Sequence, residues 1–112
     1  MTGELDVGRL SELEELLGAE RSAIVGTLLT ELASAMGRID AGLDRGDMAE
    51  VAAAAHAARN SALMIDAQPL LRVLKELETC ARSEDAAGAG AARERLTDAW
   101  PRLRRELEGA AG

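Results

Sequence analysis

Residues 52–80, AAAAHAARNSALMIDAQPLLRVLKELETC, decide the fold of this chain. Their first half continues an apolar pattern that begins at Met48 and repeats every three or four residues, which is typical of one buried face of an α-helix. A turn follows over residues 66–69, where Pro69 suits the first position of a new helix. Leu70, Leu74 and Leu77 then repeat the same spacing. The stretch therefore predicts two amphipathic helices that are joined by a short turn.

The rest of the chain carries the same pattern. It predicts bundle helices over residues 20–44, 47–65, 69–82 and 86–108, and a short helix within residues 1–18. Gly46 suits the position after a helix, Asp47 suits a cap, and Pro101 predicts a kink in the last helix. No strand pattern or repeat is present. We predict an all-α fold, an antiparallel up-and-down four-helix bundle with an extra short N-terminal helix, as one domain over residues 1–112.

Composition excludes several classes of function. The net charge is −7, whereas a nucleic-acid-binding protein needs a basic face, so we expect no nucleic acid and no membrane as partners. One cysteine and one histidine provide neither an intramolecular disulfide nor a metal site, so we expect no metal. No apolar run approaches the roughly 20 residues of a membrane helix, and no signal peptide is visible. We therefore expect a cytoplasmic protein.

The only histidine, His56, has the surroundings of a phosphoryl acceptor. Ala52 and Ala53 lie one helical turn before it, and Arg59 and Asn60 lie one turn after it. An imidazole among such short side chains is accessible, and an imidazole of ordinary pKa, about 6.5, is partly neutral near pH 7. A fixed cation such as Arg59 can neutralise part of a phosphoryl dianion. A lone helical histidine is more often a solvent-facing or core residue, so the wider pattern has to decide.

From about Leu5 to Leu107 the chain resembles the histidine phosphotransfer (HPt) family, the helical bundles that relay phosphate in multistep two-component signalling. The matching positions are Gly46, Asp47, His56, Arg59, Ser61, Ala67, Leu77 and Glu78. The resemblance implies that His56 accepts phosphate from a receiver aspartate or a kinase and passes it to a response-regulator receiver. It also implies a phosphoryl carrier rather than an enzyme, with no cofactor on this chain and Mg²⁺ on the partner receiver.

Two residues depart from the family pattern. Asp66 stands where the family has a turn glycine, and aspartate tolerates left-handed backbone better than most residues. Asn60 stands where the family has a glycine that leaves room beside the imidazole. Asn60 can either donate a hydrogen bond to the phosphoryl group or obstruct the partner. We predict that it is tolerated and helps Arg59 to stabilise the phosphate, because the alanines leave space elsewhere.

The predicted partner surface is the His56 face of its helix together with part of the next helix. Its candidate residues are Ala49, Ala52, Ala53, Ala57, Leu63, Arg72 and Lys75. Leu63 can equally be an ordinary core or half-exposed residue. We expect the protein to be a monomer, and its partners to be receiver domains, a sensor histidine kinase or both.

Two other functions fit the sequence less well. A degenerate HPt-like bundle would bind a receiver or kinase without carrying phosphate, and Asn60 favours this alternative. A histidine-kinase dimerisation fragment can carry a basic residue and an asparagine at the offsets of Arg59 and Asn60. In this chain, however, a turn comes ten residues after His56 and no ATP-binding domain follows.

Overall fold

The computed structural model describes residues 21–111, with side chains from residue 23 to residue 109. It contains four α-helices: α1 (Arg21–Arg45), α2 (Met48–Met64), α3 (Gln68–Arg82) and α4 (Ala86–Ala111). The main contacts join α1 to α2, α2 to α3, α3 to α4 and α4 to α1. This is the order of an up-and-down bundle. The predicted all-α four-helix bundle is confirmed, and the predicted short helix over residues 1–18 lies outside the described residues.

The helices end close to their predicted limits. The largest difference is at the end of α4, which continues as one helix through Pro101 to Ala111 rather than ending near residue 108. Pro101 cannot donate to the carbonyl of Thr97, and both residues are exposed, so solvent can reach that carbonyl. None of the helices between residues 21 and 111 is long and apolar enough to cross a bilayer.

The core consists of aliphatic side chains from all four helices, with small residues concentrated on α2. Helices α1, α3 and α4 contribute mainly leucines and isoleucine, whereas α2 contributes Val51 and a series of alanines. The buried alanines of α2 are Ala52, Ala54, Ala55, Ala58 and Ala62. Short side chains allow neighbouring helices to approach closely. As a result α2 packs closely between α1 and α3, and its longer side chains project mainly from its outer face.

The three turns share one geometry. Each follows a helix with a single residue of positive φ: Gly46 (71°), Asp66 (57°) and Glu84 (56°). In each turn, the next residue's N–H donates to the carbonyl five residues before it, as Asp47 does to Gly42 at 2.8 Å. This pairing is a Schellman motif, which satisfies carbonyls at the end of the helix. Asp66 thus adopts the left-handed conformation that the sequence predicted for it, and Glu84 does so without a predictive signal.

Helix α1 ends against the start of α2 through a glycine. A Cβ atom at Gly42 would lie 2.8 Å from Val51 Cγ2 and 3.3 Å from the backbone oxygen of Asp47. Val51 is fully buried, so its displacement would disturb the core. The close approach of α1 to the start of α2 therefore depends on the absence of a side chain at Gly42.

This contact predicts opposite effects for two glycine substitutions in α1. Gly42→Ala should destabilise the protein by about 1–3 kcal/mol, because overpacking against Val51 outweighs the better helix propensity of alanine. Gly37→Ala should stabilise it by up to about 1 kcal/mol, because no atom lies within 4 Å of the added methyl group. Urea unfolding of both variants measures the two effects. Equal stabilisation by both would show that the helices do not approach closely at Gly42.

Candidate functional site

His56 projects from the outer face of α2. Its side chain is 55% exposed, although the helix that carries it is otherwise buried on two sides. The neighbouring outward residues Ala53 and Ala57 are exposed and short, so they do not cover the imidazole. One ring nitrogen is held from the side of α3, where Nδ1 lies 3.1 Å from Glu78 Oε2. The imidazole is thus both accessible and oriented.

Glu78 is a buried carboxylate between α2 and α3. Its side chain is 7% exposed, and it lies one residue after Leu77 on the inward side of α3. A buried carboxylate needs paired charges and hydrogen-bond donors. Two arginines provide them, Arg59 from α2 and Arg82 from the last turn of α3. Glu78 therefore connects the imidazole to two guanidinium groups.

The two carboxylate oxygens of Glu78 are used unequally. Oε1 accepts one hydrogen bond, from Arg59 Nη1 at 2.6 Å. Oε2 accepts from Arg82 Nη2 at 2.6 Å and from Arg82 Nε at 3.0 Å, and it also faces His56 Nδ1. Such charge-assisted hydrogen bonds are about twice as strong as neutral ones.

These contacts keep Glu78 ionised. Burial by itself would raise the pKa of the Glu78 carboxyl, but the hydrogen bonds from Arg59 and Arg82 outweigh it. They hold that pKa at about 2, below its ordinary value of 4.5. An ionised carboxylate only accepts hydrogen bonds, so the proton of a neutral His56 ring belongs on Nδ1. The lone pair of the ring is then on Nε2, the nitrogen that is not held by Glu78. A lone pair in this position can act as a nucleophile toward a group that arrives from solvent.

The structure places the predicted site residues in different surroundings. Arg59 bonds to Glu78, whereas Asn60 is exposed and lines a groove toward α1 together with Ala57 and Met64. The predicted partner residues with exposed side chains are Ala49, Ala53, Ala57, Leu63, Arg72 and Lys75. Ala52 is only 6% exposed because it packs in the core, so it offers little surface to a partner. Leu63 is 58% exposed, which makes it an outward residue rather than a core residue.

Sequence reasoning missed Glu78 and Arg82 as members of the site. The sequence predicted Glu78 only as a position that matches the family pattern, and Arg82 only as the end of a helix. A signal was present, because an acidic residue within the leucine stripe of α3 faces the core and needs a cation. Within residues 21–111 no three His, Cys, Asp or Glu side chains cluster in a way that could hold a metal ion.

The low pKa of Glu78 predicts a specific acid sensitivity. Since its folded pKa of about 2 lies below its ordinary value of 4.5, its stabilising effect is complete above about pH 4.5 and is lost as the pH falls toward 2. Between about pH 6 and pH 3, wild type should lose about 2 kcal/mol more unfolding free energy than Glu78→Gln loses. Urea unfolding at both pH values measures the difference.

Glu76→Gln is the matched control for this experiment. Glu76 is on the same helix and also pairs with an arginine, Arg95, but its side chain is 53% exposed. This variant should keep the pH dependence of the wild type. If Glu78→Gln also keeps it, the carboxylate of Glu78 is not held in its ionised form by the fold.

Comparisons with known proteins agree with this geometry. The model of the Hpt domain family matches residues 23–110. The fold is similar to the crystal structure of histidine-containing phosphotransfer protein B from Pseudomonas aeruginosa PAO1, with a TM-score of 0.89 and 22% sequence identity. That alignment covers 99% of this chain and 96% of the other. No curated protein sequence matches the chain. Because the family model spans most of the bundle, the chain belongs to the Hpt domain family and has a histidine phosphotransfer role in a phosphorelay.

Proposed function

We propose that His56 is the phosphoacceptor of this Hpt domain and that Nε2 is the reacting atom. The observation that supports this assignment is the contact between Nδ1 and the ionised carboxylate of Glu78. That contact fixes the tautomer and leaves the Nε2 lone pair directed away from the carboxylate. His56 is the only histidine in the sequence, so no other imidazole competes for the role.

Phosphoryl transfer at this site needs no further reacting group on the chain. The Nε2 lone pair forms the new N–P bond as the bond between phosphorus and the donor atom breaks, and the electron pair of that bond leaves with the donor. The donor atom is an oxygen in aspartyl phosphate and a nitrogen in phosphohistidine. The ring keeps its Nδ1 proton and becomes a cation, which faces the Glu78 carboxylate at 3.1 Å. Positioning and charge stabilisation are the main requirements of such transfers. The reverse step returns the electron pair to Nε2 and moves the phosphoryl group to an acceptor carboxylate.

This cycle makes the protein a carrier rather than an enzyme. Each phosphoryl group that His56 accepts has to leave before the next one arrives, and no substrate is turned over. The donors of matching chemistry are the aspartyl phosphate of a receiver domain and the phosphohistidine of a sensor kinase, and the acceptor of matching chemistry is the free aspartate of a response-regulator receiver. Since the chain supplies cations to the phosphoryl group but no ligand cluster for a metal in residues 21–111, Mg²⁺ is expected on the receiver.

The surface around His56 suits a protein partner. Toward the start of α2 the side chains are the methyl groups of Ala49 and Ala53, whereas Leu63 and Met64 project near its end with 58% and 54% exposure. Exposed apolar side chains next to a reactive group favour a docking surface, and the exposed Arg72 and Lys75 of α3 add positive charge. We propose that a single receiver domain covers this surface during transfer.

The position of Asn60 is compatible with a bundle that carries phosphate. It lies one turn after His56 but lines the groove toward α1, whereas the charged contacts of His56 lie toward α3. Asn60 is thus on the α1 side of this helix, whereas Glu78 contacts His56 from the α3 side. From there it can donate to a phosphoryl oxygen while leaving the approach to Nε2 open.

We expect wild-type protein to be labelled by phosphoramidate, a small donor that bypasses partner docking, with acid-labile and base-stable phosphate on His56. His56→Gln should not be labelled. Asn60→Gly should be labelled within about tenfold of the wild-type rate, since one exposed hydrogen bond contributes about 0.5–1.5 kcal/mol. Phosphate-affinity electrophoresis and ³¹P NMR measure the product.

The reverse pattern would contradict the proposal. If wild type and His56→Gln both remain unlabelled, while a receiver binds both equally, the bundle acts by binding alone. If Asn60→Gly becomes labelled and wild type does not, Asn60 silences the site.

The docking surface gives a separate prediction. Leu63→Glu should slow phosphoryl transfer from aspartate-phosphorylated receiver domains of the same organism about tenfold, because it places a charge in the apolar part of the interface. Its labelling by phosphoramidate should not change. Ala33→Glu adds the same charge at an exposed position of α1 and should leave both rates at wild-type values. An equal effect of both substitutions would mean that net charge, rather than the Leu63 surface, governs transfer.

A further inference from the structure

Two donors from different elements share one oxygen of Glu78, and this arrangement has a consequence for the phosphorylated state. We propose that Arg82 moves from Glu78 to the phosphoryl group when His56 is phosphorylated, while Arg59 remains on Glu78. This inference rests on the proposed function and assigns Arg82 a role that differs from the role of Arg59. In the resting state Arg82 neutralises the carboxylate, and in the phosphorylated state it neutralises the phosphate.

The crowding at Oε2 is the first argument. A carboxylate oxygen has two lone-pair directions, but three nitrogens lie within 3.1 Å of Oε2. Two of them belong to Arg82 and the third is His56 Nδ1. Nδ1 therefore competes with the guanidinium group of Arg82 for the lone pairs of this oxygen. Removal of Arg82 from Oε2 would leave the oxygen to the imidazole.

The second argument is the different enclosure of the two arginines. The side chain of Arg82 is 62% exposed and that of Arg59 is 32% exposed. The Nε atom of Arg59 is buried and has no hydrogen-bond partner among the described residues, so protein surrounds the base of its guanidinium group. Arg59 also has Oε1 to itself at 2.6 Å. Arg82 can therefore change partner by side-chain rotation, whereas the same change at Arg59 would need a movement within the core.

The reach is short enough for such a change. Arg82 Nη2 and His56 Nδ1 contact the same oxygen at 2.6 Å and 3.1 Å, so they are at most about 6 Å apart. Nε2 belongs to the same five-membered ring as Nδ1, and a phosphoryl group on Nε2 adds three oxygens around it. An arginine side chain with several rotatable bonds can place its planar fork on two of these oxygens.

The charges of the site favour the exchange. With a neutral imidazole, the two guanidinium groups and one carboxylate leave one surplus positive charge. Transfer adds a dianionic phosphoryl group and converts the ring to a cation that keeps its Nδ1 proton, so the addition carries one net negative charge. The phosphorylated site is then neutral as a whole. Within it, the ring cation takes the place of Arg82 at Oε2, and Arg82 meets the phosphoryl dianion.

The charged groups that face the site from α1 and α4 are already paired elsewhere. On the α1 side, Arg38 bonds to Glu50 and Glu31 accepts from Ser61. On the α4 side, Arg95 pairs with Glu76. Among the described residues, the cations that contact Glu78 are Arg59 and Arg82, together with His56 when it is protonated. Arg82 can therefore move to the phosphoryl group without breaking a pair in another part of the bundle, while Arg59 stays on Glu78.

The direct test is NMR of the arginine side chains during phosphorylation. Full-length ¹⁵N-labelled protein is treated with phosphoramidate, ³¹P NMR reports phosphohistidine on His56, and the Nε–H signals of Arg59 and Arg82 are followed. The signals are assigned from Arg82→Gln and Arg59→Gln. We expect the Arg82 signal to move and the Arg59 signal to remain close to its resting position. If phosphohistidine forms and Arg82 does not move, or if Arg59 moves instead, this inference is wrong and the proposed function stands. If no phosphohistidine forms, both fail.

A kinetic test uses a matched pair of variants. Arg82→Gln should lower the rate of labelling by phosphoramidate about tenfold, because the developing phosphoryl charge loses a charge-assisted hydrogen bond. Arg104→Gln removes an arginine from a comparable ion pair, Arg104 with Glu108 four residues on, at 55% exposure on α4. It should label at the wild-type rate. Equal rates for Arg82→Gln and wild type would overturn the exchange, as would an equal decrease in both variants. Circular dichroism of each variant confirms that the bundle is intact.

Discussion

The buried carboxylate of Glu78 is the interaction on which the site depends. It lies between α2 and α3, receives an arginine from each helix, and faces the ring of His56. An ion pair of this kind contributes little net stability, because the desolvation of its charges offsets their attraction. The loss of one partner is costly, however, since it leaves a buried charge without compensation. The same group therefore fixes the relation of two helices and the orientation of the reactive imidazole.

Much of the fold could be predicted from the sequence because its signals are local. The stripes of α1, α3 and α4 repeat every three or four residues, and the glycine-aspartate pair at 46–47 marks a helix end followed by a cap. Asp66 was expected in the left-handed region and is found there, at φ 57°. Glu84 adopts the same conformation, but nothing local distinguishes a glutamate in such a turn from one at the end of a helix. A single helix across Pro101 was also predicted, but its end was placed near residue 108 rather than at Ala111.

The part of the site that lies on a single helix could be predicted from helical spacing. His56 and Arg59 share a face of one helix, so a single sequence distance links them. Glu78 is 22 residues from His56 on another helix, and the register between the two helices is set by the Schellman turn and by core packing. The spacing of residues within one helix does not predict the register between two helices. The site is asymmetric for the same reason, with Glu78 and the arginines toward α3 and Asn60 toward α1.

The alanines of α2 have a consequence for the motions of this protein. Alanine has no side-chain rotamers, so the buried face of α2, which holds five alanines beside Val51 and Ser61, loses little side-chain conformational entropy on folding. We expect the helix under His56 to keep its position while exposed side chains rotate, on a timescale of picoseconds to nanoseconds. A change of partner by a surface arginine can be completed within that time without displacement of the backbone. In this arrangement only the side chain of Arg82 changes position, whereas α2 and His56 do not. Successive partners therefore meet the imidazole at the same position.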